Sequence, residues 1–510
     1  MLSLCDQGPW PACPAPFNLA DHVLAGGLAA PDKIALAVLG ASRAERWSFA
    51  RLRAAALGTG TGLLEAGLAH GDRVLLRLSN TVDFPLAFLG AVAVGIVPVP
   101  VSAALTAGEV ARIARTVGPA AILADPALPC PEDGPRRIGL EALRAMRARP
   151  EAAPVKGDPE RLAYIVFTSG TSGAPRAVMH AHRAVWARGM MREGWYGLTP
   201  RDRLLHAGAF NWTYTLGTGL LDPWTAGATA LIPEAGTAPE ALPLLIRRHD
   251  ATIFAASPGV YRKLLKHWPE DAPAPRLRHG LSAGEKLTEA TRTAWEAATG
   301  TAVHEAFGMS ECSTFISGAP GVPAPPGTLG RPQPGRRVAI LGPDAAPVAM
   351  GETGTIAVSR RDPGLMLGYL GAKAETEARF SGEWFLTGDL GVMGADGSIT
   401  CHGRADDLMN AGGVRVAPQE VEAALAAFPG VDALAVTDVA LKDQVRVIAC
   451  FYTARDPIDE KAFSAFAAER LARWKQPRLY VRRTDLPTGP NGKLSRKALR
   501  AEWRTSDGQA

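Results

Sequence analysis

The chain has 510 residues, of which 47% are hydrophobic and 21% charged, and its formal net charge is +5. This length exceeds what one hydrophobic core usually holds, so we expect two to four domains or subdomains, and the composition excludes a disordered chain. The positive excess is not gathered into a block of Lys and Arg with interleaved aromatic residues, so nucleic acid is not an expected partner.

Short apolar segments that alternate with helical ones predict an α/β sheet in the first half of the chain. Residues 71–78 and 95–101 have the pattern of buried strands, and residues 83–94 between them have that of an apolar helix. Further strands are predicted at 120–124, 163–168, 203–208 and 227–232. This rhythm is typical of sheets covered by helices on their faces.

The character of the chain changes near residue 403. Before it, short strands are predicted at 338–341, 354–359 and 398–401, with turn signals between them. After it, helices at 417–427 and 460–472 and strands at 433–437 and 445–452 predict a compact unit of about a hundred residues. We therefore expect one domain over residues 1–402 and a second over 403–510.

The compartment follows from what the sequence lacks. No stretch approaches the roughly 20 apolar residues that span a bilayer, and the first twenty residues have no long apolar run of the secretory kind. The six cysteines are scattered without metal-ligand spacing. We expect a cytoplasmic protein with no membrane span, either a monomer or a homodimer.

A loop rich in glycine and hydroxyl residues follows the strand predicted at 163–168. Glycines let backbone N–H groups converge on an anion, hydroxyls add donors, and a nearby arginine supplies a cation for β- and γ-phosphates. The loop lacks the spacing of a Walker A motif. A solvated polar loop is the simpler alternative to a phosphate site. The residues concerned are Thr168, Ser169, Gly170, Thr171, Ser172, Gly173 and Arg176.

This loop resembles that of the adenylate-forming superfamily, which includes acyl-CoA synthetases, adenylation domains of peptide synthetases and luciferases. The usual family loop ends in Pro-Lys-Gly, whereas this one ends in Pro175, Arg176 and Ala177. The resemblance extends from Phe17 to about Arg500 and is greatest to benzoate–CoA ligases. It implies a large N-terminal domain of α/β subdomains with a β-barrel-like subdomain, and a small mobile α+β C-terminal domain with its hinge near Asp406.

Further segments match family motifs in the family's order, and the resemblance implies their roles around ATP. Ser310 is implied to contact the α-phosphate, and Glu311, with Thr168, to hold Mg²⁺, an ion that usually takes one or two carboxylates plus phosphates. Asp389 is implied to bind the ribose, because a short carboxylate after a glycine turn can accept both hydroxyls. Arg404 is implied to reach the ribose or a phosphate. The remaining nucleotide contacts implied are Ser282, Ala283, Gly284, Glu285, Phe307, Gly308 and Met309.

The C-terminal motifs imply two half-reactions. Lys493 is implied to bridge the carboxylate of the acid and the α-phosphate, where a cation reduces the repulsion between two anions. The catalytic set implied is thus Lys493, Glu311, Arg404 and Ser310. Gly412, Gly413 and Arg415 are implied to form the face for coenzyme A. Rotation at Asp406 would exchange Lys493 for this face between adenylation and thioester formation.

The acyl pocket is implied to include Trp212, Tyr214, Gly217, Thr314 and Phe315. Its aromatic residues favour an aromatic or cyclic acid, with a short or medium aliphatic acid as the alternative, and the lack of an Asp at 210–217 argues against amino acids. Because no carrier-protein segment follows in the sequence, free CoA is the expected acceptor. A stand-alone enzyme that loads a separate carrier protein is the alternative, a non-catalytic nucleotide-binding regulator is the alternative of another class, and luciferase-type oxidation is also compatible with the sequence.

Overall fold

A computed structural model describes residues 1–40, 42–168, 176–269, 274–404, 409–411, 414–440, 446–488 and 494–506. For residues 410, 411, 414, 415 and 504–506 it describes the backbone alone. The chain divides into two compact units. One comprises Met1–Leu4, Val338–Ala357 and Leu386–Ala510, and the other comprises Cys5–Arg337 and Val358–Phe385. The predicted domain boundary near residue 403 remains a prediction.

The strands are β1 (Leu4–Asp6), β2 (Ile34–Leu39), β3 (Ala44–Ser48), β4 (Arg73–Arg77), β5 (Val97–Pro100), β6 (Ala121–Ala124), β7 (Arg136–Gly139), β8 (Leu162–Thr168), β9 (Arg176–Ala181), β10 (Arg203–His206), β11 (Thr229–Pro233), β12 (Ile253–Ala256), β13 (His279–Ala283), β14 (Val303–Met309), β15 (Ser313–Ser317), β16 (Arg331–Pro332), β17 (Arg337–Leu341), β18 (Thr353–Ser359), β19 (Gly368–Tyr369), β20 (Phe380–Ser381), β21 (Trp384–Met393), β22 (Ile399–Arg404), β23 (Met409–Ala411), β24 (Val414–Val416), β25 (Ala433–Ala440), β26 (Arg446–Thr453) and β27 (Leu479–Arg482).

The α-helices are α1 (Leu19–Ala25), α2 (Phe49–Glu65), α3 (Asp83–Ala93), α4 (Ala107–Val117), α5 (Leu140–Met146), α6 (Arg183–Ala187), α7 (Gly189–Met191), α8 (Asp222–Thr225), α9 (Leu242–Arg248), α10 (Pro258–Leu265), α11 (Glu289–Thr299), α12 (Lys373–Glu377), α13 (Pro418–Leu425), α14 (Glu460–Arg470) and α15 (Arg496–Ser506). Two π-helical segments, Arg192–Tyr196 and Thr215–Leu221, lie among them, as do 3₁₀ turns at Pro239–Ala241 and Arg473–Lys475. None of the helices described is long and apolar enough to cross a bilayer.

The unit that contains Cys5–Arg337 is built around a nine-stranded sheet of order β16-β15-β14-β13-β12-β10-β11-β2-β3. Its middle strands, from β14 to β2, are parallel and mostly buried, and most of their buried residues are apolar. Parallel strands are buried on both faces, which accounts for that composition. A four-stranded parallel sheet, β5-β4-β6-β7, lies in the same unit beside the fully buried helix α3.

Strand β8 departs from the predicted alternation. It was predicted as one strand of the strand–helix series, but it is followed by another strand and pairs antiparallel with this strand, β9, in a separate three-stranded sheet of order β19-β9-β8. The chain returns to the partner strand within seven residues, and so short a connection joins antiparallel strands only. Strands β8 and β9 therefore form a hairpin.

The other unit contains most of a six-stranded sheet of order β1-β17-β18-β21-β20, with β22 paired to β21. The resemblance implied a β-barrel-like subdomain in this part of the chain, and the structure shows a six-stranded sheet there. The last hundred residues form the hairpin β23-β24 and the sheet β25-β26-β27, packed with α13, α14 and α15. The predicted strands and helices are confirmed, and each of them begins and ends within three residues of its predicted position.

Candidate active site

The predicted phosphate loop connects two paired strand ends. Thr168 is the last residue of β8 and lies opposite Arg176, the first residue of β9. The guanidinium of Arg176 is 2.8 Å from a carboxylate oxygen of Glu375, and its central carbon is 5.2 Å from the centre of the Tyr369 ring. The intervening predicted contacts, Ser169, Gly170, Thr171, Ser172 and Gly173, lie outside the described residues.

The turn between β14 and β15 carries Ser310 and Glu311. A bulge between Phe307 and Gly308 turns the chain there. A Cβ added at Gly308 would lie 2.2 Å from the carbonyl oxygen of Ser313, so the close approach of β15 requires glycine at this position. Met309 is the last residue of β14. Gly308 was predicted as a nucleotide contact. The structure shows that its missing side chain makes room for the neighbouring strand β15.

Tyr369 connects the two predicted phosphate elements. Its hydroxyl donates a 2.7 Å hydrogen bond to Oε1 of the buried Glu311, and its ring lies beside the Arg176 guanidinium. Burial, reinforced by the charge of Glu311, raises the pKa of Tyr369, so its hydroxyl stays protonated. Tyr369 was not among the residues predicted from the sequence. The only local signal was an aromatic residue between glycines, Gly368-Tyr369-Leu370-Gly371.

The predicted adenine segment begins at the end of β13. Ser282 and Ala283 are buried there, and Gly284 follows with a left-handed φ of +102°. Glu285 comes next in the same connection. The following Leu287 donates its backbone N–H to the carboxyl of Glu305, on the neighbouring strand β14, at 3.0 Å. Burial raises the pKa of Glu305 from 4.5 to about 7, and this residue was also missed by sequence reasoning.

The predicted acyl residues lie in two groups, which are buried except for the half-buried Trp212. Tyr214 packs its ring against Trp212, at 5.2 Å between centroids, and its hydroxyl donates to the Leu281 carbonyl. Phe315 is fully buried with its ring against Phe307, 5.4 Å away. The other two members are Gly217, where a Cβ would overlap the guanidinium of Arg188, and Thr314, whose hydroxyl points to the sulfur of Met191 at 2.8 Å.

A buried ion pair lies against Gly217, one of these residues. Arg188 and Asp222 form a bidentate pair with N–O distances of 2.7 and 2.6 Å. Arg188 also donates to the hydroxyl of Ser313, at 2.6 Å, and Tyr196 donates to Asp222 at 2.7 Å. The carboxylate of Asp222 raises the pKa of Arg188 in spite of its burial, so the arginine is a permanent cation. No local pattern in the sequence indicates this network.

In the other unit, Asp389 and Arg404 face each other across strands β21 and β22. Arg404 lies 3.5 Å from a carboxylate oxygen of Asp389 and donates to the Thr387 carbonyl at 3.0 Å. Gly388 has a φ of +79°, and a Cβ there would lie 3.0 Å from the guanidinium. The structure thus brings together the two residues predicted to bind ribose.

The remaining predicted residues lie outside what the structure describes. They are Asp406 at the hinge, Gly412 and Gly413 of the CoA face, and Lys493. Arg415 belongs to β24, opposite Asn410, but its side chain is not among the described atoms. Their roles therefore stay predictions.

A magnesium site at Glu311 is compatible with its surroundings. Within the described ranges, no cluster of three or more His, Cys, Asp or Glu residues could hold a metal on its own. Mg²⁺ bound to a nucleotide needs only one or two protein carboxylates because phosphates and water complete its shell. Glu311 fits that requirement, since Tyr369 occupies one of its two oxygens and fixes the orientation of the other.

Comparison with known proteins decides the family. Residues 27–370 match the AMP-binding enzymes, and residues 420–493 match the C-terminal domain of the same enzymes. The chain belongs to the AMP-binding enzyme family. The predicted membership of the adenylate-forming superfamily, the mixed α/β fold class and the acid–thiol ligase class are confirmed.

The curated relatives of this AMP-binding enzyme include ligases for aromatic acids. It is 31% identical to the benzoate–CoA ligase of Thauera aromatica over 469 residues, which cover 85% of this chain and 86% of the relative. It is 27% identical to the 3-hydroxybenzoate–CoA ligase of Aromatoleum sp. (strain CIB), over 95% of this chain and 96% of that one. Among solved structures, the anthranilate CoA ligase AuaEII in complex with anthranoyl-AMP shares the fold, with a TM-score of 0.88 at 24% identity over 97% of this chain and 99% of that one.

Proposed function

We propose that this AMP-binding enzyme joins an aromatic carboxylic acid to coenzyme A. The acid would react with ATP to give an acyl-adenylate and pyrophosphate, and the thiol of CoA would then displace AMP. The observation that carries the proposal is the series of contacts from Arg176 through Tyr369 to Glu311. It joins a cation at the phosphate loop to a carboxylate suited to magnesium, as a triphosphate site requires.

In the first half-reaction the protein mainly positions and neutralises charge. The phosphate loop and Arg176 would bind the β- and γ-phosphates, Ser310 the α-phosphate, and Asp389 and Arg404 the ribose. Mg²⁺, when bound at Glu311, would supply further neutralisation of the phosphates. Lys493 would lie between the acid's carboxylate and the α-phosphate, where it lowers the repulsion that opposes attack.

In the second half-reaction the thiol of CoA would attack the acyl carbonyl of the adenylate, and the bond to AMP, a good leaving group, would break. We place the acceptor face at Gly412, Gly413 and Arg415. The domain of residues 403–510 would turn about Asp406 to bring this face to the adenylate in exchange for Lys493. Such alternation would let one pocket serve two reactions that need different protein groups beside the acyl carboxyl group.

An aromatic substrate is supported by the relatives, which are named for benzoate and hydroxybenzoate. The aromatic rings of Trp212, Tyr214 and Phe315 supply flat apolar surface of the kind that such acids need. A short or medium aliphatic acid remains the second choice. The proposed setting is the cytoplasm, where ATP and CoA are available.

A panel of carboxylic acids tested with magnesium and ATP checks the proposal. We expect AMP formation that depends on both an aromatic acid and CoA. Pyrophosphate release without any stimulation by CoA would favour an enzyme that loads a carrier protein. The absence of acid-dependent pyrophosphate release would favour a nucleotide-binding regulator, and oxygen consumption would favour luciferase-type chemistry.

A further inference from the structure

His180, in strand β9, is a buried imidazole without a hydrogen-bond partner among the described side chains and backbone. It is 3% exposed, and neither ring nitrogen forms a hydrogen bond of normal geometry, although the backbone of Ser310 lies near enough to interact weakly with the ring. Its ring stacks on that of Tyr164, its cross-strand neighbour, at 4.9 Å between centroids. Buried polar groups in native proteins nearly always have a partner, because burial without one costs free energy. We therefore expect a bound molecule to form a hydrogen bond with the imidazole.

A small cavity lies beside this imidazole. The lining groups that can form hydrogen bonds belong to Tyr164, His180, Arg188, Thr213, Ser310 and Ser313. Thr213 stands between the predicted acyl residues Trp212 and Tyr214, and Ser310 is the predicted contact of the α-phosphate. The cavity is thus lined by residues from both the acyl segment and the phosphate turn. A group attached to a bound acid is well placed to enter it.

The charge of the cavity restricts what it can accept. Among the described residues that line the cavity, Arg188 is the only cation, and it is neutralised by its bidentate contact with Asp222. Burial lowers the pKa of His180 to about 4, and the nearby Ser310 backbone offsets only part of this shift. The imidazole is therefore neutral at physiological pH. A second carboxylate in this cavity would lose its hydration without gaining an unmatched cation.

We propose that this cavity binds a neutral hydroxyl or amino substituent on the aromatic acid, with His180 as its hydrogen-bonding partner. The inference rests on the proposed function, and narrows the substrate class to hydroxylated or aminated aromatic acids. A neutral imidazole has one donor and one acceptor nitrogen. A hydroxyl or amino group can form a hydrogen bond with either nitrogen, whereas an unsubstituted ring leaves both nitrogens without a partner.

The test compares kcat/KM for benzoate, its three monohydroxylated isomers, 2-aminobenzoate and a benzene dicarboxylate in the full-length enzyme. For at least one of the hydroxyl- or amino-substituted benzoates, kcat/KM should exceed that for benzoate by about tenfold or more. The reason is that a site built to bind a polar group disfavours the analogue that lacks it. The dicarboxylate should be the poorest substrate. Comparison of the hydroxybenzoates with 2-aminobenzoate shows which substituent the cavity prefers, and comparison of the three hydroxybenzoate isomers shows the ring position that reaches it.

Variants then assign the effect to His180. In His180→Leu the ratio of the best substituted acid to benzoate should fall towards one, and His180→Asn should retain part of it. His304→Leu is the matched control, because His304 is also buried and burial lowers its pKa to about 4, but it does not line the cavity. It should keep the wild-type ratio.

Two results would overturn the inference. One is a wild-type enzyme that uses benzoate as well as every substituted acid, and the other is a His180→Leu enzyme with the wild-type ratio, in which case the imidazole binds only water. If the leucine variant does not fold, the asparagine variant and calorimetric binding of the substituted acids and benzoate to the wild type decide. Failure of the proposed function is distinct, because then no acid of any class supports AMP formation.

Discussion

The guanidinium of Arg188 donates a 2.6 Å hydrogen bond to the hydroxyl of Ser313, whose backbone is left-handed with a φ of +63°. Residues other than glycine rarely adopt this conformation, which costs of order 1–3 kcal/mol. Ser313 stands two positions after Glu311. The contact therefore holds a strained turn that carries the predicted phosphate and magnesium ligands.

Replacing Ser313 by glycine separates strain from positioning. Ser313→Gly removes the hydroxyl and suits the backbone, so stability should be unchanged or higher by up to about 1 kcal/mol. We expect kcat for adenylate formation to fall by about three- to tenfold, measured by pyrophosphate release. Ala345 also has a left-handed φ, of +60°, and Ala345→Gly should relieve strain without loss of kcat. Wild-type kcat in Ser313→Gly would show that this serine only forms a turn.

Tyr369→Phe tests the contact with Glu311. Hydrogen bonds to charged groups contribute about 1.5–3 kcal/mol, so losing the 2.7 Å bond should raise the Mg²⁺ concentration needed for half-maximal adenylation by about tenfold. Since the raised pKa of Tyr369 keeps it protonated, the difference from wild type should be constant between about pH 6 and 9. Tyr480→Phe, in the C-terminal sheet, serves as control. Identical Mg²⁺ curves for wild type and Tyr369→Phe would contradict the assignment.

Lys493→Ala separates the two half-reactions. Removing the cation should lower adenylate formation by at least about a hundredfold, because it is needed where two anions meet. Thiolysis of a supplied acyl-adenylate by CoA should proceed at close to the wild-type rate, since in the proposed mechanism Lys493 would then be exchanged for the face that carries Gly413 and Arg415. Single-turnover assays of each step measure both quantities. Equal loss of both steps would refute this role.

Glu305→Gln tests the buried carboxyl near the adenine segment. The pKa of Glu305 rises from 4.5 to about 7 on folding, so ionisation destabilises the folded state progressively between these values and fully above pH 7. Glutamine keeps the acceptor for the Leu287 N–H without the charge. The variant should match wild type below pH 4.5 and be more stable by about 1–3 kcal/mol at pH 8. Denaturant unfolding at both pH values measures this, and a variant less stable at pH 8 would show that the charge is needed.

Buried histidines should make the enzyme sensitive to acid. Burial lowers the pKa of His206 to about 3 and that of His304 to about 4, both from 6.5. The unfolded chain then binds protons that the folded one does not, so stability present above pH 6.5 is lost as the pH falls towards these values. Each histidine contributes up to about 1.4 kcal/mol per pH unit in that window. His304→Leu should flatten the fall in unfolding free energy between pH 6.5 and 4.5 relative to wild type; an unchanged slope would contradict the burial argument.

Local sequence patterns were sufficient for the elements and for the family. Apolar runs placed β4, β10 and β11 to within two residues, because a buried strand needs a continuous apolar segment whatever lies beside it. The motif around Ser310 and Glu311, together with the other family motifs, predicted the chemistry, because phosphate and magnesium demand particular side chains close together in the chain. The pairing of β8 was not foreseen, since an apolar run does not specify its neighbour.

The sequence by itself thus determined the secondary structure, the superfamily and the residues expected at the nucleotide. Only the tertiary structure decided which buried polar groups meet. Tyr369 reaches Glu311 across 58 positions, and Arg188 reaches Ser313 across 125. Apolar periodicity is a local property that each segment carries alone, whereas a buried hydrogen bond exists only once distant segments have packed and excluded water.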